Sequence, residues 1–329
     1  MRPLPVASDR PLPNSGVNYF VDAEHGRDEA AGTVQAPLKT IAAGMAKLKP
    51  GDTLVLRAGT YYEPVNWTVS GQANQPVTIR SYPHELAIID AGLREFADDP
   101  AGAWEPVEGG APGEFQSTRT YTHLPAASEL SVGNFADSMV PLHPYRTGMD
   151  LRSNNQFWIF KDKTDDTGGL YCGPGIWLDN EGSAASNRFY IRLAALHIPG
   201  LLDRNYTGQS DPRKLKLVVN GQASAFTIDH QSHICVQDLV LRGARENTLV
   251  LADATDVAID GVTTYAGRSA LRIDRCDDLR FSNSAFRGLA APWSFRNQQK
   301  YRGIDSYLIV TGDYAKEPTN QNIFFDYCE

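Results

Sequence analysis

The residues best equipped for chemistry crowd the last part of the chain. The stretch 288–305, "GLAAPWSFRNQQKYRGID", carries Trp293, Arg296, Lys300, Tyr301, Arg302 and Asp305. An aromatic platform, several cations and a carboxylate suit an acidic or hydroxyl-rich ligand. Shortly before it come Arg268, Arg272 and Asp274, and after it Asp326 and Glu329. Carboxyl groups held in opposite protonation states act as general acid and base. Other chemistries have no residues to carry them: there is no nucleophile elbow, no phosphate-binding Walker loop and no His-based metal motif.

Cys172, Cys235, Cys276 and Cys328 show no CxxC spacing and no nearby His, which argues against zinc. They are expected as buried free thiols, with one disulfide as the alternative. The acidic pairs Asp98-Asp99, Asp165-Asp166 and Asp277-Asp278 suit calcium in principle. Corner and cap chemistry is the preferred reading, so no metal and no cofactor are expected. A formal charge of −8, without a run of basic residues, lacks the field that draws in nucleic acid. No apolar stretch has membrane-spanning length.

What positions these side chains is a repeat. "ICVQDLVLRG" from Ile234, "VAIDGVTTYAG" from Val257, "LRFSNSAFRG" from Leu279 and "IFFDYCE" from Ile323 superpose, their starts lying 23, 22 and 44 residues apart. Apolar residues recur at the first and third places: Ile234 and Val236, Val257 and Ile259, Leu279 and Phe281, Ile323 and Phe325. The fifth place holds Asp238, Gly261 and Asn283, types that tolerate left-handed backbone, so a one-residue corner is expected there. Tyr327 breaks that pattern in the last copy. Another strand precedes two of the copies, with Leu249 and Leu251, then Leu271 and Ile273, 22 residues apart. Three short strands per turn, without hairpins, predict an all-β right-handed parallel β-helix, a solenoid in which each strand pairs with its counterpart one rung away.

"LKTIAAGMAKLKPGD" reads as an N-terminal capping helix with Leu38, Ile41, Ala42, Met45 and Leu48 on one face. Residues 19–63, "YFVDAEHGRDEAAGTVQAPLKTIAAGMAKLKPGDTLVLRAGTYYE", resemble the opening segment of pectate-lyase-like β-helix proteins of carbohydrate metabolism: a strand, a Gly/Asp loop, a P-x-K-T-I helix, then PGD-T. The resemblance covers about half the chain once the repeats are included.

The 22-residue rhythm lapses from Asp90 to about Phe226, where segments such as "NQFWIFKD" and "NRFYIRLA" read as antiparallel strands. The division expected is an arm or linker at 1–17, a cap and first rungs at 18–90, an inserted antiparallel β-sandwich-like domain at 91–225, and further rungs at 226–329, cut short at the C-terminus. An inserted β-layer near the start of the coil is similar in layout to the β-helix glycosidases. In the inserted domain, Trp158, Tyr171, Trp177 and Tyr190 read as sugar platforms or as core.

The resemblance implies an enzyme acting on polysaccharide or oligosaccharide. A glycoside hydrolase using paired carboxylates is the first expectation, with Asp305, Glu329, Asp274 and Asp326 as catalytic candidates. Arg302, Arg272, Lys300, Trp293, Arg296 and Arg268 are the substrate-binding candidates. The alternatives are a polysaccharide lyase, in which Arg or Lys removes a proton beside a uronate carboxylate, and a non-catalytic carbohydrate-binding coil. No Asp-rich calcium signature with a neighbouring Lys or Arg base is visible. The family also implies a secreted or periplasmic protein. The last rung has no cap in sequence, which predicts a longer coil or a homo-oligomer formed through Ile323 and Phe325.

Overall fold

The computed structural model describes residues 4–124, 132–154, 156, 169–197, 205–288, 290–293, 307–311 and 320–329. The polypeptide divides into two units. One is the coil, Pro5–Ala91, Gln222–Gly288 and Tyr307–Glu329; the other is built chiefly from Gly92–Gly221 and the segment carrying Trp293.

The coil has three parallel sheets. The first contains seven strands in the order Asn18–Val21, Thr53–Leu56, Val77–Ser81, Ser232–Gln237, Thr255–Asp260, Asp277–Ser282 and Gln321–Asp326. The second contains Gly59–Tyr61, Ala87–Asp90, Leu239–Arg242, Thr263–Tyr265 and Ala285–Arg287. The third contains Val65–Trp67, Phe226–Asp229, Asn247–Ala252, Ser269–Asp274 and Tyr307–Thr311. Sequence neighbours do not pair; equivalent strands do, which is the β-helix expected from the repeat. Val77, Ile234, Val257, Leu279 and Ile323 form one column in register. The first four are at most 1% exposed, and such burial stabilises by about 1.5–3 kcal/mol per side chain.

Asp238, Gly261 and Asn283 all have positive φ, at 56°, 68° and 49°. Tyr327, the wrong residue type, adopts the same conformation at 50°. Rung stacking explains this: the corner N–H groups of Asp238, Gly261 and Asn283 donate to Asp260, Ser282 and Asp326 carbonyls of the following rung. The carbonyl preceding Tyr327 is thus fixed from below, and its side chain has no say. Two further left-handed columns were not foreseen: His233, Asp256, Asp278 and Asn322 in one, and His230, Asp253 and Arg275 in the other.

The cap helix is short, Ile41–Met45, with Thr40 accepting from the Ala43 N–H. Leu38, Ile41 and Leu48 are buried as expected, but Ala42 is exposed and Met45 only half-buried. Gly44 faces the coil instead. A Cβ there would stand 2.4 Å from Leu54 Cδ1, so the missing side chain brings the helix backbone against the first rung.

The coil's path is interrupted after Ala91 and resumes at Gln222, whose N–H donates to the Ala91 carbonyl at 2.8 Å. Within the other unit, a five-stranded sheet runs in the order His143–Pro144, Gly175–Asp179, Arg188–Arg192, Glu114–Ser117 and Trp104–Pro106. A three-stranded sheet contains Val140–Pro141, Gly133–Phe135 and Leu217–Val219. Apart from the parallel pair of His143 with Gly175, the ladders are antiparallel. Its core is aromatic, with Phe96 packed against Trp104, Tyr121 and Phe189. All four cysteines are free thiols, and Cys172 and Cys276 are buried.

Candidate functional site

On the third coil sheet, side chains alternate in and out. Leu249 and Leu251, then Leu271 and Ile273, point into the coil, while Val250 and Ala252 are in register with Arg272 and Asp274 on the outer face. Each of three successive strands ends at a left-handed residue: His230 after Asp229, Asp253 after Ala252, Arg275 after Asp274. The backbone turn swings these side chains outward at the strand ends, so charged groups from three rungs meet on one surface.

The meeting is close. His230 Nδ1 lies 2.8 Å from Asp229 Oδ1, and Nε2 lies 3.7 Å from Asp253 Oδ2. Arg275 grips Asp253 through Nε and Nη2 at 2.7 and 2.6 Å, and reaches Asp274 with Nη1 at 2.7 Å. Arg272 Nη2 is 3.8 Å from the same Asp274. Hydrogen bonding from Arg275 holds the Asp253 carboxyl below the ordinary carboxylate range, and the Asp253 and Asp274 carboxylates raise the Arg275 guanidinium in turn. The cluster opens to solvent: His230 is 74% exposed and Asp229 56%, while Asp274 is 14% exposed.

A ligand atom from each of Asp229, His230 and Asp253 lies within 4.8 Å of the other two. Both Asp253 oxygens are already engaged by Arg275, so a cation entering there competes with a guanidinium. What the arrangement can do is present an ionised carboxylate beside a second carboxylate and an imidazole, with two arginines to hold oxygen-rich or anionic groups.

Asp274 and Arg272 from the expected set stand in this cluster. Arg268 is exposed on the turn entering the same strand, its N–H donating to the Arg245 carbonyl. The structure does not bring the other carboxylates here. Asp326 lies on the first sheet, in register with Ser282, and Glu329 Oε2 lies 3.5 Å from Arg287 beside the second sheet. Trp293 is core, 4% exposed, its indole N–H donating to the Pro174 carbonyl at 3.1 Å. It packs edge-on against Phe135 and Tyr206, so it offers no open face. Asp305, Arg302, Lys300 and Arg296 lie outside the described residues, as does Trp158. Tyr171 is buried, and Arg152 caps the rings of Trp177 and Tyr190 at 5.5 and 5.0 Å. Asp229, His230, Asp253 and Arg275 were missed, although the aligned strand ends "FTIDH", "LVLAD" and "LRIDR" carry the signal.

No family model matches the chain. A stretch of 78 residues, 23% of this chain and 18% of the relative, is 43% identical to pectate lyase PEL9 of Emericella nidulans. Another of 72 residues is 33% identical to the uncharacterised protein YwoF of Bacillus subtilis strain 168, covering 22% of this chain and 15% of that one. Among solved structures, XylC in complex with xylose superposes with a TM-score of 0.57 at 13% identity, covering 84% of this chain. The chain has the pectate-lyase-like parallel β-helix fold. A glycoside hydrolase structure superposes at a TM-score of 0.51 and 11% identity, over 92% of this chain and 68% of that one. The β-helix chain spans about half of XylC, 55%, and under a fifth of either curated relative. Among the described residues, no helix of this β-helix protein is long and apolar enough to cross a membrane.

Proposed function

We propose that this β-helix protein is an extracellular carbohydrate-active enzyme, a glycoside hydrolase that binds a saccharide along the outer face of the third coil sheet. The observation that carries the reading is the convergence of Asp229, Asp253 and Asp274, with Arg272 and Arg275, at the ends of three successive strands. Glycosidic hydrolysis requires two carboxyl groups flanking the bond, and a separation of roughly 5 Å suits retention through a covalent intermediate. Asp229 and Asp253, with oxygens no more than 4.8 Å apart, meet that spacing. Asp253, held ionised by Arg275, takes the role of nucleophile; Asp229 protonates the leaving oxygen and then, as base, activates the water that releases the sugar from Asp253. Asp274 and Arg272 hold sugar hydroxyls. The shared fold with XylC and a glycoside hydrolase structure agrees with this reading.

A second reading, β-elimination on a uronate polymer, is favoured by the stretch 43% identical to pectate lyase PEL9. There the arginines neutralise the uronate carboxylate. The two separate on products: incubation with a panel of plant and algal polysaccharides should release new reducing ends without ultraviolet-absorbing unsaturated sugar. Unsaturated product supports the lyase, and retention of polysaccharide without turnover would leave a binding coil. Association of two copies through Gln321–Asp326, where Phe324 and Phe325 are 55% and 43% exposed, belongs to the same proposal. A sedimentation coefficient independent of concentration would remove it.

A further inference from the structure

The Pro-rich residues near the N-terminus lie against the first sheet in an extended path, with their polar groups engaged one by one. The Ser8 carbonyl accepts from the His84 N–H at 2.7 Å, and its hydroxyl bonds the Asp238 carboxylate. The carbonyls of Arg10 and Pro11 accept from Arg80 Nη2 and Nη1 at 2.6 and 2.7 Å. The Arg10 guanidinium sits between two carboxylates of successive rungs, 3.1 Å from Asp238 and 2.6 Å from Asp260. The Asn18 amide reaches back to the Pro13 carbonyl at 3.2 Å.

Arg80 is the telling residue. Its side chain is 1% exposed on the outward side of a strand, where a guanidinium would ordinarily be solvated. A buried charge needs partners, and leaving donors unmatched is expensive. Besides the Ser81 carbonyl and a long contact to Asp238, those partners are carbonyls of the arm. A guanidinium that reads two consecutive peptide carbonyls, beside a two-carboxylate notch that takes a cationic side chain, is a peptide-recognition surface rather than ordinary coil.

We propose that the outer face of the first sheet is a binding groove for an extended Ser-x-Arg-Pro segment, and that residues 8–13 are its ligand in cis, a latch that closes the groove. The three recognition points are the Asp238 and Asp260 notch for the arginine, Arg80 for the backbone, and the His84 amide for the residue before. Proline fixes φ and keeps the segment extended, so little entropy is lost on docking. Departure of the latch opens two carboxylates and Arg80 to a second segment of the same chemistry. This site is on a different sheet from the saccharide face and stands independently of that reading.

The test inserts a protease recognition sequence between Asn14 and Ser15 of the full chain and cuts the folded protein. The freed fragment should co-elute with the coil on gel filtration and exchange with a labelled peptide of residues 4–13. An Arg10→Ala peptide should bind at least about ten-fold weaker, because it loses a charge-assisted contact to two carboxylates. Loss of the fragment with an unaltered melting temperature, or equal binding of the two peptides, overturns the proposal. A second measurement needs no insertion: in the intact Arg10→Ala protein the His84 amide should exchange with deuterium several-fold faster, and unchanged protection there also overturns it.

Discussion

Asp238 and Gly261, corner residues of successive rungs, share one space: Asp238 Oδ1 lies 2.6 Å from where a Cβ on Gly261 would stand. Gly261 also has φ of 68°. Gly261→Ala therefore combines left-handed strain with displacement of a carboxylate, and should lower stability by about 1–3 kcal/mol in urea unfolding. The opposite holds at the corner with the unsuited residue. Tyr327, 86% exposed, makes no use of its ring for burial. Tyr327→Asn should raise stability by up to about 1 kcal/mol, and a clear loss would show that the ring matters.

Arg242 and Asp90 form a nearly dry ion pair on the second sheet, Nε to Oδ2 2.6 Å, with side chains 7% and 1% exposed. Removing the arginine alone takes the guanidinium away from a buried carboxylate. Arg242→Met should destabilise by about 3–5 kcal/mol in equilibrium unfolding. The double variant Asp90→Leu with Arg242→Met should recover part of that loss, since neither charge is then left behind.

At the proposed saccharide face, Asp253→Asn and Asp229→Asn should each reduce kcat by about 10²-fold or more, with melting temperature nearly unchanged because both side chains are at the surface. A drop in melting temperature that parallels the lost activity would mark them as structural.

Arg275→Ala tests the electrostatics of that face separately. Arg275 depresses the Asp253 carboxyl, so removing it lets that group protonate at a higher pH. The acidic limb of the pH–rate profile should shift upward. A limb that stays in place would show that Asp253 is not the ionised group.

His143 is wholly buried in the inserted unit, and desolvation pulls its imidazole down to about 3 from 6.5. The folded state thus binds fewer protons than the unfolded state between those values. Stability should be fully present above about pH 6.5 and fall as pH decreases towards 3, with a slope of up to about 1.4 kcal/mol per pH unit. His143→Gln should flatten the acid limb of the stability curve measured by urea titration; an unchanged slope would point to other groups.

The coil was legible because its signal is repeated. The column of Ile234, Val257 and Leu279 and the corner at Asp238 depend on alternation and residue type, and each rung supplies an independent copy. The candidate cluster was half legible. Arg272 and Asp274 followed from the outward parity of one strand, a parity that Asp229 shares, whereas His230, Asp253 and Arg275 stand just past strand ends, where left-handed backbone decides direction. Arg275 in that conformation gives no compositional hint. Trp293 misled for a different reason: an aromatic in a long loop reads as exposed, yet Gly173, at φ 107°, clears the space its indole fills. Ala42 and Met45 were placed by helical period, and Gly44 overrode them by allowing closer approach.

The three left-handed columns make the rung an interchangeable cassette. They recur at 23 and then 22 residues, and the odd residue falls between Arg242 and Asn247, a turn one longer than that between Tyr265 and Ser269. Length variation is thus absorbed at one turn while the other corners keep phase. Duplicating residues 256–277 in tandem should therefore insert a whole extra storey, with Val257 and Ile259 each gaining an identical neighbour and no new core to be solved. A protein built in this way lengthens its outer faces in steps of one strand spacing, about 4.8 Å, so a face that meets a polymer can be fitted to it by counting rungs.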